Sequence, residues 1–411
     1  MDAVEINISS EPSRPNVQRV KNRIYFWFVS CILYLYSLMK GKDPKPKKSN
    51  QHFAHLSGLM GLCAYSIIWC HGGYFYTYQG YHVFGHVAVV FFFVKSALLL
   101  TYQSLDRYEE SSSKISFWMQ FFVRRFFRVY PVYVVWLFLG IVVRPGSLGL
   151  SGFVHYALLQ GLNNVYWCIS TEIESYFLIP IVVHVYHVAE KKDGGSWTRR
   201  ISAIVLLVVT GLLFHFYWEP SWPYGYPYPH LGPYTPIFLC GSLAGIIARI
   251  MKKHSFRVSA SITSLVCIVV FILLALRTAH FSTRIFGEGT AWNLKAPISL
   301  PTGVLVSIFL TLFIFHSKDS LIQRFFEWNF FTWMGSLSYE MYITHIAMTL
   351  FVWRDHRIGD IDGQLCVLAL TFFVSWIMNK LVGLPGVAIG SRICKFIETK
   401  FAERKEKYFS V

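Results

Sequence analysis

Residues 258–276 read VSASITSLVCIVVFILLAL, an apolar run without a single charged side chain. A helix that crosses the hydrocarbon core of a bilayer needs about 20 predominantly apolar residues. A second run of the same kind, ISAIVLLVVTGLLFHFY, occupies Ile201–Tyr217. In a soluble protein of this size, charged residues would instead interrupt the apolar ones with a period of 2 or 3.6. These runs therefore predict an all-α integral membrane protein.

Comparable runs recur along the chain and predict about ten transmembrane helices. A buried core helix could account for one such run, but not for the whole succession. We expect the membrane domain to occupy residues 53–383, between an N-terminal segment at 1–52 and a basic tail at 384–411. The predicted spans lie near residues 56–76, 84–103, 128–143, 167–188, 201–217, 234–251, 258–277, 297–316, 331–352 and 364–383.

The net charge of +16 follows the predicted topology. Lysine and arginine are concentrated before the first span and after the second, fourth, sixth and tenth spans. The loops after the first, third, fifth, seventh and ninth spans contain only Arg144, Arg284, Lys295, Arg354 and Arg357. This alternation is the positive-inside pattern, which predicts that both termini are cytosolic. Because topology explains the basicity, we expect no nucleic-acid partner.

Two features of the N-terminal segment bear on topology. Residues 24–39 are apolar and are flanked by basic residues on both sides, which favours a helix lying in the cytosolic interface of the membrane. An eleventh span is the alternative, and it would place Asn7 in the lumen as a glycosylation acceptor. Residues 40–50 form a basic linker, KGKDPKPKKSN, expected near anionic lipid headgroups.

The eight cysteines do not indicate metal or disulfide chemistry. None belongs to a C-x-x-C pair, and nearly all lie in or beside apolar runs. We interpret them as small core residues and expect neither a disulfide framework nor a metal site.

Ionisable side chains inside the spans are the candidates for chemistry, because burying them in a bilayer is unfavourable. His71 ends the first span, Lys95 lies within the second, and Glu172 lies near the outer end of the fourth. The alternative for His71 is a hydrogen bond to a neighbouring helix, and for Lys95 it is snorkelling to the interface. Further candidates of this kind are His86, Glu174, Glu340 and His345.

Three arginines precede the third span, at Arg124, Arg125 and Arg128. They either anchor the topology or bind the phosphates of an anionic donor, for which the forked guanidinium group is suited. A histidine near a carboxylate can act as a general base towards a hydroxyl group. Together these residues suit group transfer from a cytosolic donor to an outer or membrane-embedded acceptor.

Five stretches, in order along the chain, resemble the motifs of the acyltransferase 3 family of polytopic membrane acyltransferases. The resemblance extends over about residues 53–383. It implies transfer of an acyl group, usually acetyl, from acyl-CoA to a hydroxyl of a glycan, lipid or small molecule. The stretches are Leu56–His71, Phe92–Leu100, Arg124–Tyr133, Trp167–Pro180 and Met334–His345.

The resemblance also assigns roles to residues. It implies that His71 is catalytic, that Glu172 supports it, and that Arg124, Arg125 and Arg128 contact the donor. The sequence departs from the family pattern at four positions, where it has Ser57, Met60, Lys95 and Ala97. Met60 stands where the family has an arginine, and we hypothesise that Lys95 supplies the displaced cation.

Two other classes of function remain open at this point. Met60 in place of the family's arginine suggests a second class of function. In this class the protein is a degenerate relative that binds or moves a lipid or small molecule without transfer chemistry. A secondary transporter built from inverted repeats is the third class. The sequence has no detectable internal repeat, which counts against it.

Overall fold

A computed structural model describes residues 53–71, 82–111, 113–143, 150–159, 166–191, 197–218, 231–255, 258–276, 300–315, 321–353 and 361–409. The predictions for residues 1–52, and for Arg144, Arg284, Lys295, Arg354 and Arg357, lie outside these ranges. Every regular element in the described ranges is a helix. The all-α fold class is therefore confirmed for this part of the chain.

The elements follow one another as fifteen α-helices in the described ranges. A 3₁₀ turn, Gly232–Tyr234, precedes α8, and a π-helical turn, Asn379–Gly383, joins α14 to α15. The α-helices are α1 Ala54–His71, α2 His82–Glu110, α3 Lys114–Val143, α4 Leu150–Ala157, α5 Trp167–Ser175, α6 Leu178–Lys191, α7 Trp197–Trp218, α8 Thr235–Lys253, α9 Ala260–Leu276, α10 Leu300–Ile314, α11 Leu321–Phe326, α12 Asn329–Ser336, α13 Ser338–Trp353, α14 Ile361–Met378 and α15 Leu384–Phe409.

Five helical stretches in the described residues are long and apolar enough to cross a membrane. They are Gly85–Glu110, Trp167–Glu190, Arg199–Tyr217, Gly232–Lys253 and Ile361–Glu403. The count of about ten spans stays a prediction. Large apolar side chains also cover the outer faces of α7 and α9, where Leu213 is 65% and Phe271 is 64% exposed. Such continuous apolar surface is expected where helices face lipid.

Helix α2 lies at the centre of the bundle and packs against α1, α6, α8 and α10. Its contact with α8 is close because α8 presents Gly241 and Gly245 to it. A Cβ atom at either glycine would lie 2.6 Å from a backbone carbonyl oxygen of α2, that of Val94 or that of Leu98. This spacing of small residues is a common way for membrane helices to approach closely. It fixes the position of the α2 segment that contains Lys95.

Helix α1 makes an equally close contact with α12. A Cβ atom at Gly335 would overlap the backbone of Ser57. One at Gly58 would overlap the backbone of Phe326, the last residue of α11. The backbone of α1 therefore packs directly against those of α11 and α12, and α1 also contacts α13. This arrangement places the C-terminal end of α1, with His71, beside α13.

Two of the predicted spans are each divided into two helices. The span predicted at 167–188 is broken at Tyr176–Phe177, between α5 and α6. Pro180 explains this break, because it has no N–H group to donate to the carbonyl of Tyr176. The span predicted at 331–352 is broken at Leu337, directly after Gly335 and Ser336, a residue pair that commonly kinks helices.

Two helices, α3 and α15, extend beyond the spans predicted for them. Helix α3 begins at Lys114, well before residue 128, and α15 continues the last span into the basic tail. The two pack together along Gly386, where a Cβ atom would lie 2.9 Å from the carbonyl oxygen of Phe127. That carbonyl lacks its helical hydrogen bond because Pro131 follows four residues later.

An ionic network ties α2, α6 and α8 together at one end of the bundle. The guanidinium group of Arg249, 7% exposed, donates to Asp106 at 3.1 Å, Glu109 at 2.6 Å and Glu190 at 2.5 Å. Lys252 adds a longer contact to Asp106, at 3.2 Å. A single buried cation thus holds carboxylates from two neighbouring helices against α8.

Candidate active site

The carboxylate of Glu172 lies at the contact between α2 and α5. Its Oε1 atom accepts a hydrogen bond from the hydroxyl of Ser96 at 3.1 Å and another from the hydroxyl of Tyr176 at 2.9 Å. Tyr176 is the first residue after α5, so this second bond joins Glu172 to the helix break. The carboxylate is therefore held in place from two directions.

Three cations lie within electrostatic range of this carboxylate. Lys95 precedes Ser96 on α2 and is half-buried; the charges that act on it are those of Glu172, Arg128 and Arg125, with Glu172 the strongest. We call Lys95, Arg125 and Arg128 the cation cluster. The cluster has three positive charges and Glu172 has one negative charge, so Glu172 leaves two positive charges uncompensated. Such an excess of positive charge favours binding of an anion.

The sequence of α3 explains why two of its arginines point inward. Phe121, Arg125, Arg128 and Val132 follow one another at spacings of four, three and four residues, which places them on one helical face. Phe121 and Val132 are buried on that face. Arg124 has a different environment: it donates to Gln120 on its own helix at 3.1 Å and lies beside Cys394 of α15. Arg124 therefore differs from the cation cluster in its direct contacts, although its charge also acts on Arg125.

Arg125 retains donor capacity. Its Nε atom is buried and has no hydrogen-bond partner among the described residues. Burial lowers the pKa of this guanidinium group, while Tyr176 and the carboxylate of Glu172 act in the opposite direction. A further anion at this position would offset the cost of burying the charge.

His71 lies at the other end of the site, at the last residue of α1. Its Nδ1 atom lies 2.9 Å from the carbonyl oxygen of Ile67. Its ring packs against the ring of His345 on α13, with centroids 5.0 Å apart and planes inclined at 59°. His345 is fully buried. The sequence indicated His345 only as one of several ionisable residues in spans, and its pairing with His71 depends on the contact between α1 and α13.

Tyr342 and Cys168 connect the two ends of the site. Tyr342 lies beside His345, with ring centroids 5.8 Å apart, and hydrogen-bonds to Cys168 on α5. Cys168 is one helical turn before Glu172, a rise of about 6 Å along the axis. A continuous set of contacts therefore leads from the histidine pair to the cation cluster.

Glu172 was expected to support His71, but no hydrogen bond joins the two side chains in the described residues. In the described part of the chain, the Glu172 carboxylate accepts hydrogen bonds from Ser96 and Tyr176, and none from His71. Met60 is 1% exposed and belongs to the apolar core. The charges that act on Lys95 are those of Glu172, Arg128 and Arg125.

Two other glutamates have structural partners. The Oε2 atom of Glu174 accepts the backbone N–H of Leu231 at 2.7 Å, which anchors the start of the 3₁₀ turn before α8. Glu340 on α13 is fully buried and accepts a hydrogen bond at 2.9 Å from Asn379, in the π-helical turn. Within the described ranges, no group of three histidine, cysteine or acidic residues is arranged to hold a metal ion.

The geometry separates two chemical capacities. At one end, histidine side chains can accept a proton. At the other, the cation cluster and the buried donor of Arg125 can hold an anionic group.

Comparison with known proteins identifies one family. The model of the acyltransferase domain called acyltransferase 3 matches residues 53–380. No curated protein matches the chain, and no solved structure matches it.

Proposed function

The chain belongs to the acyltransferase 3 family, and on that premise we propose that it is a multi-pass membrane O-acyltransferase dependent on acyl-CoA. It would move an acyl group, in the first instance acetyl, to a hydroxyl of a glycan, lipid or small-molecule acceptor. The observation that carries the proposal is the connection between a cation cluster around Glu172 and a histidine at the end of α1.

The donor would bind at the cation cluster. Acyl-CoA carries several phosphate charges, and arginine binds phosphate through paired N–H donors. Arg125 has a buried Nε donor to offer, and Arg128 and Lys95 add charge beside it. Arg124, at the rim beside α15, would contact the donor from outside the cluster. The positive-inside pattern supports a cytosolic position for Arg124, Arg125 and Arg128 and for both termini.

His71 would act as the general base. Its imidazole would take the proton of the acceptor hydroxyl while the hydroxyl oxygen attacks the thioester carbon. The carbon–sulfur bond then breaks, and the imidazolium returns the proton to the CoA thiolate. No other reactant is required, and the products are the acyl ester and free CoA.

Glu172 would contribute through charge. Its negative charge would lower the repulsion among Lys95 and the inward-facing arginines. Lys95 would supply the cation that Met60 does not, from α2 instead of from α1. Both roles concern the donor end of the site.

Release of free CoA from acetyl-CoA tests the proposal. The purified protein is reconstituted in lipid nanodiscs, and CoA is quantified by chromatography, because the eight cysteines of the chain would react with a thiol reagent. Candidate hydroxyl acceptors are added in parallel. We expect release from wild type and its loss in His71→Ala.

A buried histidine outside the site provides the control. His187 on α6 packs against Tyr108, with ring centroids 5.0 Å apart, and His187→Gln should retain release. Binding of acetyl-CoA without release, in wild type and with every acceptor, would overturn the proposal and favour the degenerate relative.

A further inference from the structure

His345 has an unusual combination of burial and hydrogen bonding. It is fully buried, and its Nδ1 atom lies 2.6 Å from the carbonyl oxygen of Tyr342 on its own helix. Its Nε2 atom is also buried and has no hydrogen-bond partner among the residues that the structure describes. A buried polar atom without a partner is unfavourable, and in native proteins it commonly marks a functional group.

The hydrogen bonds define which nitrogen of each ring carries the proton. A carbonyl oxygen can only accept, so Nδ1 of His345 is the donor in the neutral ring, and Nε2 has the lone pair. The same reasoning applies to His71, whose Nδ1 atom donates to the carbonyl of Ile67 at 2.9 Å. Both neutral rings therefore present a basic Nε2 atom.

The distance between the rings allows them to share a proton. The ring centroids lie 5.0 Å apart. In the described residues Nε2 of His345 makes no hydrogen bond, so the two rings would turn towards each other to form a hydrogen bond of about 3 Å. Two lone pairs cannot hydrogen-bond to one another. Once either Nε2 atom takes up a proton, however, the imidazolium N–H can donate to the other ring.

We propose that His71 and His345 form a proton-sharing pair, in which His345 positions and stabilises the proton that His71 removes from the acceptor. This inference deepens the proposed function and rests on it for its role in catalysis. The hydroxyl proton passes to Nε2 of His71, is held between the two rings while the carbon–sulfur bond breaks, and then protonates the CoA thiolate. His345 thus acts through His71 and is a positioning residue.

Within the described ranges, few other groups that titrate surround His345. His71 is the group whose charge acts on it from α1. On α13, Tyr342 lies beside His345, and Tyr342 in turn hydrogen-bonds to Cys168 of α5. Glu340 is paired with Asn379. The buried polar residues of α14 are the uncharged Gln364, Thr371 and Ser375.

Two substitutions distinguish proton sharing from packing. His345→Gln keeps an acceptor that can hydrogen-bond an imidazolium, whereas His345→Phe keeps the ring but removes the acceptor. We expect kcat to fall about 10- to 100-fold for Phe, by less for Gln, with the KM for acetyl-CoA unchanged in both. A packing role predicts the reverse order, because Phe suits a buried apolar site better than Gln does. Activity of the Phe variant equal to or above that of the Gln variant would overturn the proposal.

A second measurement does not depend on turnover. Wild-type protein labelled with ¹⁵N-histidine is titrated by NMR, and the signals of the pair are assigned from His71→Gln and His345→Gln. We expect coupled titration, in which the pair takes up one proton well before a second and either substitution alters the curve of the other histidine. Independent curves would refute proton sharing, even if the protein releases CoA. Coupled curves without CoA release would refute the proposed function alone.

Discussion

Ser96 donates a hydrogen bond of 3.1 Å to Glu172, and this bond joins α2 to α5 at the centre of the candidate site. It places Lys95, the preceding residue on α2, in the field of the same carboxylate. A lysine and a glutamate that the sequence assigns to different spans thus belong to one electrostatic unit. Arg125 and Arg128 complete that unit from α3.

The arginines of α3 should differ in their effect on the donor. Arg125→Gln and Arg128→Gln each remove a cluster charge, and we expect each to raise the KM for acetyl-CoA about 10-fold or more. Loss of a hydrogen bond to a charged group costs about 1.5–3 kcal/mol, which corresponds to a change of that size. Steady-state kinetics at low ionic strength measure the effect.

Arg124→Gln is the matched control for these variants. It removes the same charge from the neighbouring position, but Arg124 lies against Gln120 and Cys394. We expect a smaller rise in KM. Equal effects of all three substitutions would mean that only the overall positive charge matters, contrary to the cluster described above.

Lys95→Met tests whether this lysine replaces the cation missing at Met60. We expect transferase activity to fall at least about tenfold, because Glu172 and the donor phosphates lose a cation in a poorly solvated place. Thermal unfolding of the variant distinguishes lost activity from lost folding. Full activity in Lys95→Met would refute the hypothesis.

The sequence indicated candidate residues but not which of them lie together. Lys95, Arg125, Arg128 and Glu172 were candidates because charged residues in or beside spans are unfavourable, and the structure brings them together. The predicted support of His71 by Glu172 assumed only a similar depth in the membrane. Depth does not define the direction in which a side chain points, and α13 provides His71 with His345 instead.

Single residues in the sequence indicate one of the helix breaks and the ionic network, but a hydropathy profile does not take them into account. Pro180 marks the break between α5 and α6, although the apolar run continues through it. Arg249 lies within the predicted span at 234–251 and met the same criterion as Lys95. Its partners, among them Asp106 and Glu190, come from distant parts of the chain, so only the packing of α2, α6 and α8 identifies the network.

Arg249→Met should destabilise the protein strongly. It leaves Asp106, Glu109 and Glu190 without their shared partner, and removal of one member of a buried ion pair costs about 3–5 kcal/mol. We expect a clear fall in Tm in detergent. Lys252→Met is the control: this side chain is 58% exposed, and loss of an exposed ion pair costs at most about 1 kcal/mol. A similar Tm for both variants would contradict the structural role of Arg249.

Glu340 offers a test of the π-helical turn. The amide of Asn379 donates to Oε1 of Glu340 at 2.9 Å, while Oε2 is buried without a partner. Glu340→Gln retains an acceptor for this bond, so we expect little change in Tm. Glu340→Leu leaves the Asn379 amide unpaired, at a cost of about 1–3 kcal/mol. The prediction fails if the Leu variant is as stable as the Gln variant.

The most direct test of the central claim measures binding and turnover of acetyl-CoA together in His71→Gln. Binding of radiolabelled acetyl-CoA and release of CoA are followed in the same nanodisc preparation, with wild type beside it. The separation of the histidine end from the cation cluster predicts that the variant binds acetyl-CoA as wild type does but releases no CoA above background. Wild-type release of CoA by His71→Gln would contradict a transferase site built on His71.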